Sequence, residues 1–269
     1  MPRILIVLGM HRSGTSITTK WLHACGLNVG ENLLGPQRSN KSGHYEDMDF
    51  YNFHEKVFKE NGMPFGGFEL LDRAELNESQ LEEARKILAD KSAKSDQWSW
   101  KDPRTCLFID SYLKLLPEAK ILIVSRNYNE IIQSLIYRET RHIREDIVRD
   151  AKWGIFSYLS YELKEGIKLK NELGKFYGQA TLHYYQKILD CIEKTDDSRR
   201  VGVKFSELRE KEEALFNRLV SMGFHLEKFQ LKSIFKHDYL TSNRRCRYIP
   251  KTLRRELRKM QTEIEKSCI

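Results

Sequence analysis

The sequence predicts an α/β fold, a parallel sheet with helices on both faces and therefore three layers. Two observations carry that prediction. Short apolar runs at residues 4–8, 120–125 and 200–205 each lead through polar residues into a helical pattern, and a further strand-like stretch at 98–101 does the same. Strands that alternate with helices are joined by crossovers, which makes neighbouring strands parallel. A third observation places the ligand. The first run ends in Gly9-Met-His-Arg-Ser-Gly-Thr-Ser16, a glycine-bearing turn that opens a helix. Open α/β sheets bind ligands beyond the carboxyl ends of their strands, where this turn belongs.

The elements follow in order. Ile4 to Leu8 is long enough for one buried strand, and Gly9 and Gly14 let successive N–H groups turn inward toward an anion. Thr15 and Ser16 open a helix that runs to Cys25 and stops at Gly26. A nucleotide triphosphatase carries a lysine between the second glycine and the Ser or Thr, because that lysine spans the β- and γ-phosphates while the hydroxyl holds magnesium. Here Thr15 stands at the lysine position and the fixed cation comes earlier, at Arg12. This favours a nucleotide with one charged 5′ substituent and no metal-bridged polyphosphate. Residues 30–50, rich in Gly, Asn, Ser and charge, read as a long functional loop.

Leu81, Ala84, Ile87 and Leu88 mark one face of a helix over 79–93. Trp98-Ser-Trp-Lys-Asp-Pro-Arg104 reads as a short strand halted by Pro103, followed by a helix carrying Leu107, Phe108, Tyr112, Leu115 and Leu116. Lys120-Ile-Leu-Ile-Val-Ser-Arg126 is the next buried strand, and Asn127 caps a helix with Ile131, Ile132, Leu135 and Ile136 on its inner face. Residues 146–193 read as helical, with Trp153, Phe156, Tyr158, Tyr161, Tyr184 and Tyr185 as packing residues. Arg200-Val-Gly-Val-Lys-Phe205 is the last strand, with Ser206 expected to cap a helix that ends at Gly223.

Composition narrows the function. The chain has 269 residues, 40% hydrophobic and 31% charged, which suits a single domain with a helical insertion at about 140–195 and a basic segment at about 238–269. The first apolar run is too short for a signal-peptide core or a membrane span, so a cytoplasmic protein is expected. Five cysteines without a CxxC pair suggest reduced structural thiols, and no His, Cys or Asp cluster has ligand spacing, so no metal site is expected. The net charge of +8 is uneven: residues 238–259 hold eight Lys and Arg against Asp238 and Glu256, which is +6 in that window. Such a segment either binds an anion, in nucleic acid, at a membrane surface or on a small ligand, or forms a solvated helix face.

Three strand ends bear on one crevice: the loop after residue 8, WKDPR at 100–104 and SRNYNEIIQS at 125–134. Arg126 leaves its strand and Ser134 lies two turns along the next helix, so both can face one phosphate. At these residues the chain resembles the sulfotransferases that use 3′-phosphoadenosine 5′-phosphosulfate (PAPS). The resemblance spans residues 4–208, more weakly at WKDPR and at Val203-Lys-Phe-Ser-Glu-Leu208. It departs where Met10-His11 replaces the proline usual before the cation, where Tyr128 replaces the proline usual after Arg-Asn, and at Glu130, near where an aspartate is common. It implies a P-loop nucleotide-hydrolase-like sulfotransferase fold. It also implies a 5′-phosphosulfate wrapped by Arg12, Ser13, Gly14, Thr15 and Ser16, and a 3′-phosphate held by Arg126 and Ser134. By analogy of position, Arg244 or Arg245 completes the 3′-phosphate site.

The reaction so implied is sulfuryl transfer from PAPS to an acceptor hydroxyl, without metal, leaving 3′-phosphoadenosine 5′-phosphate. Arg12 stabilises charge and is too weak an acid to donate a proton. Glu46, in the Gly-aromatic-Glu-like loop Asn40 to Asp47, is the first candidate base and His44 the second, with His54 and His11 behind them. WKDPR either lines the cleft through Lys101 and Arg104 or braces the loops through an Asp102–Arg104 pair, and bracing is favoured. The expected acceptor is a carbohydrate or small molecule rather than a protein, with no nucleic-acid partner. Two other readings stand beside this one. They are a magnesium-dependent nucleotide kinase or triphosphatase with a degenerate loop, and a non-catalytic basic module that binds nucleic acid or an anionic surface.

Overall fold

Four strands lie side by side in the order β2-β1-β3-β4, all parallel, in a computed structural model that describes residues 2–36, 43–63, 66–68, 75–150, 165–235 and 245–269 and, of 142–150, the backbone alone. They are β1 (Arg3–Leu8), β2 (Gln97–Lys101), β3 (Lys120–Ser125) and β4 (Arg200–Lys204). Ile6 of β1 is in register with Trp100 on one side and Ile121 on the other. Successive side chains of a strand point to opposite faces. Thus Ile4, Ile6 and Leu8 join one apolar cluster while Leu5 and Val7 join the other, and Ile121 and Ile123 separate from Leu122 and Val124 in the same way. Runs that are apolar at every position are those a sheet covered on both faces requires.

Helices α1 (Thr15–Ala24) and α7 (Glu212–Ser221) cover one face, through Ile17, Trp21 and Leu22 and through Leu215, Phe216 and Leu219. The other face is covered by α2 (Met48–Glu60), α3 (Glu78–Lys94), α4 (Ile109–Leu115), α5 (Tyr128–Asp150), α6 (Ile167–Lys194) and α8 (Lys251–Glu265). At its centre Phe50 of α2 stacks on Trp100 with ring centroids 4.5 Å apart, both essentially solvent-free. Burying a large apolar side chain this completely contributes about 1.5–3 kcal/mol.

Local signals set most boundaries. Asn127 Oδ1 accepts from the Asn129 amide at 2.9 Å at the start of α5, and Gly223 closes α7 with φ +99°, as expected. Asn77 and Gln80 form a reciprocal capping box on α3. Two expectations need correction. The loop expected over 30–50 gives way to α2 at Met48, where Asp47 Oδ1 accepts from the Asp49 amide at 3.0 Å. Ser206 caps no helix: residues 205–207 form a 3₁₀ turn, and α7 starts at Glu212. Of the stretch expected to be helical at 146–193, residues 151–164 lie outside the described residues.

The basic C-terminal segment divides in two. Arg254 is buried and donates to the carbonyls of Cys246 and Ile249 at 2.9 and 3.0 Å, whereas Arg255, Arg258 and Lys259 are exposed. All five cysteines are unbonded. Among the described residues no helix is long and apolar enough to cross a membrane.

Candidate active site

The turn after β1 is built for close approach. A Cβ at Gly9 would lie 2.5 Å from Ser13 Oγ and 2.9 Å from the Val124 carbonyl oxygen, and one at Gly14, where φ is +100°, would collide with the Phe205 ring. Between them Arg12 takes φ +68°, a conformation that costs a non-glycine residue about 1 kcal/mol or more. No side chain caps α1 at Gly14, so the amides of Thr15, Ser16 and Ile17 have no partner within the helix. The buried Ser13 hydroxyl also has no hydrogen-bond partner among the described residues. Open amides at the positive end of a helix dipole, beyond the carboxyl end of a central strand, form an anion cradle.

The two halves of the expected nucleotide site meet here. Arg12 Nε donates to Ser134 Oγ at 3.0 Å, joining the first loop to α5. Arg126 donates through Nη1 to the Arg12 carbonyl at 3.0 Å and through Nε to Glu130 at 2.8 Å, with its guanidinium 4.7 Å from the centre of the Phe205 ring. The Tyr185 hydroxyl holds the Arg126 carbonyl at 2.9 Å. Burial, then Arg138 and Arg126, bring the Arg12 guanidinium down to about 10, which leaves it charged at neutral pH. Of the later basic pair, Arg245 is exposed and Arg244 lies outside the described residues.

Opposite the cradle, Lys101 at the end of β2 donates to Glu46 Oε1 at 2.8 Å and to Ser16 Oγ at 3.3 Å. Glu46 Oε1 lies 3.9 Å from His44 Nδ1. Tyr45 between them has φ +55°, so a strained backbone turns both neighbours into the cleft. Burial pushes the Glu46 carboxyl above the usual carboxylate range while Lys101 pulls it back. His44 goes the other way: burial, then Lys101 and Arg12, lower it to about 4. At neutral pH the imidazole is uncharged and weakly basic, so the environment favours Glu46 over His44 as the base.

WKDPR serves both expected purposes. Lys101 lines the cleft, and Asp102 accepts from Arg104 Nε at 2.9 Å and from its Nη2 at 2.7 Å, the brace expected from sequence. Arg104 also pairs with Glu55. His54 belongs to this brace and not to the cleft: it is fully buried, with Nδ1 3.0 Å from Asp102 and Nε2 2.9 Å from the Tyr112 hydroxyl. Burial opposes charge on Asp102, yet Arg104 and His54 hold its carboxyl well below the usual range.

The cleft encloses about 840 Å³ including its mouth. Beyond the residues expected from sequence it is lined by Lys20, Arg138 and Phe205. Arg138 lies one helical turn beyond Ser134, a spacing that puts both on one face of α5 and was readable in the sequence. Phe205 leaves no local signal, because its role follows from the fit of its ring against Gly14.

Fold and cleft together define an α/β protein whose cleft opens at the helix following its first strand. No protein-family model matches the chain, and no curated protein matches it in sequence. Solved structures do. Sulfotransferase STF9 from Mycobacterium avium is 15% identical, matched over 98% of this chain and 76% of its own, with a TM-score of 0.56. The sulfotransferase domain of the Synechococcus PCC 7002 olefin synthase is 12% identical over 97% of this chain and 94% of its own, with a TM-score of 0.49. The chain has the sulfotransferase fold.

Proposed function

We propose that the protein is a sulfotransferase that moves a sulfuryl group from PAPS to a hydroxyl of a carbohydrate or other small acceptor. The observation that carries this reading is the Arg12–Ser134 hydrogen bond, which joins the loop after β1 to the helix after β3 as a shared anion site would require. The uncapped start of α1 and the unpartnered Ser13 hydroxyl suit a 5′-phosphosulfate. Ser134 and Arg126, with Arg244 or Arg245, are the residues for the 3′-phosphate. PAPS supplies the activated sulfuryl group, and the protein supplies position, charge and a base.

Sulfuryl transfer, like phosphoryl transfer, passes through a loose in-line transition state, with charge on the equatorial and leaving oxygens. The amides of Thr15 to Ile17 and the Arg12 guanidinium are fixed before reaction, and each such donor contributes about 3 kcal/mol to transition-state stabilisation. Glu46 takes the acceptor hydroxyl proton on its carboxylate. Lys101 keeps Glu46 ionised in a buried setting and holds it in line with the start of α1 through Ser16. His44 stays neutral beside it, its Nδ1 3.9 Å from the carboxylate.

Thermal unfolding with added adenosine 3′,5′-bisphosphate, compared with ATP plus magnesium, tests the reading. Stabilisation by the bisphosphate alone supports it, and stabilisation by ATP with magnesium alone overturns it in favour of a kinase or triphosphatase.

A further inference from the structure

The cleft cations are not alike. Lys101 is matched by Glu46 and Arg126 by Glu130, while Arg12 stands at the cradle that takes the donor. Lys20 and Arg138 are different: both line the cleft, and neither forms an ion pair with a carboxylate among the described residues; of the two, Arg138 lies one turn beyond Ser134. The Arg138 guanidinium hydrogen-bonds the Tyr177 hydroxyl and lies 5.7 Å from the centre of the Phe68 ring.

Phe68 continues an aromatic group. His11 packs on it with ring centroids 4.6 Å apart and meets Tyr184 edge-on at 5.7 Å, and Tyr177 packs edge-on against Phe68 from α6 at 5.3 Å. The Tyr184 hydroxyl is already used, donating to the Gly67 carbonyl at 2.9 Å. His11 Nε2 is buried and has no hydrogen-bond partner among the described residues. A buried polar atom left unpartnered is costly, a penalty that a bound ligand removes. Burial and then Arg138 hold the His11 ring well below its ordinary value, so it is neutral beside the cation.

We propose, resting on the sulfotransferase reading, that the acceptor carries an anionic group, a carboxylate or phosphate ester, which Arg138 binds, while its hydroxyl-bearing part reaches Glu46 past the His11 ring. Arginine is the residue suited to this, because its planar fork takes two oxygens of such a group at once. The cation-bearing aromatic wall then selects anionic acceptors against neutral ones of the same shape, since the neutral compound leaves Arg138 desolvated without a counter-charge.

The test is calorimetric binding of 4-hydroxybenzoate and of 4-hydroxybenzamide to the full chain saturated with adenosine 3′,5′-bisphosphate, in the parent, Arg138→Gln and Arg138→Lys. The expected result is a preference of about tenfold or more for the carboxylate in the parent, lost in Arg138→Gln and partly kept in Arg138→Lys, with bisphosphate affinity unchanged in both variants. Equal binding of the two probes to the parent, or a preference that survives Arg138→Gln, overturns the proposal. So does a loss of bisphosphate affinity in Arg138→Gln as large as the loss for the benzoate, which assigns Arg138 to the donor. A parent that fails to bind the bisphosphate contradicts the functional reading itself, a result separate from any preference between the probes.

Discussion

Lys101 and Glu46, 55 residues apart in sequence, meet at 2.8 Å beneath the cleft with almost no solvent on either. A buried pair of this kind is costly to break from one side, because the remaining charge is left uncompensated. It also ties the end of β2 to the loop that carries the proposed base.

Glu46→Gln keeps the shape and an acceptor for Lys101 but cannot take a proton at neutral pH. Turnover is expected to fall by roughly 10²–10⁴-fold with bisphosphate affinity within about threefold of the parent. Steady-state rates beside calorimetric titration check this, and retained turnover moves the base to His44.

Lys101→Met removes the charge that holds Glu46 down, leaving burial to raise the carboxyl further. The acidic limb of the kcat/KM profile, set by protonation of the base, is expected to move to higher pH than in the parent. An unmoved limb would mean that Glu46 does not set it.

Arg126→Ala is expected to weaken adenosine 3′,5′-bisphosphate more than Ser134→Ala, since hydrogen bonds from a charged donor are worth about 1.5–3 kcal/mol and neutral ones about 1. Neither change should alter binding of adenosine 5′-phosphate by as much. Equal losses for both nucleotides would remove the 3′-phosphate assignment.

Much of this site was legible in the sequence, for a physical reason. Gly14, Arg12 and Arg126 sit at strand ends and Ser134 lies two turns along the helix that follows, where local spacing decides direction. The pairing of Glu46 with Lys101 was not legible, because it joins two loops through the fold and leaves no local pattern. Helix α2 was readable and missed: Asp47 as cap, then Phe50, Phe53, Val57 and Phe58 at helical spacing, were obscured by the polar stretch before them. His54, a candidate base by residue type alone, is a core histidine, which only burial reveals.

His54→Ala tests that last assignment. It removes the partner of both Asp102 and Tyr112 and should destabilise the fold by about 3 kcal/mol or more, while nucleotide affinity of the folded fraction is kept. Denaturant unfolding with bisphosphate titration separates the two. An unchanged midpoint with lost turnover would return His54 to the catalytic list.

Acid should destabilise the protein early. His11, His44 and His54 are all held below their ordinary 6.5, foremost by burial. Below that pH the unfolded chain takes up protons that the folded chain refuses, so stability present at pH 7 is lost as the pH falls, toward about 4 for His44. The raised Glu46 and Glu55 carboxyls work in the opposite sense but are two groups against three. Melting temperature is expected to fall between pH 7 and 5, and a flat or rising one would contradict these directions.

The most direct measurement is calorimetric titration of the parent protein with adenosine 3′,5′-bisphosphate in the presence of a metal chelator, beside adenosine 5′-phosphate under the same conditions. The account predicts one site, metal-independent, with the bisphosphate bound at least about tenfold more tightly than the monophosphate. No heat at saturating bisphosphate, or binding that returns only with magnesium, would contradict it.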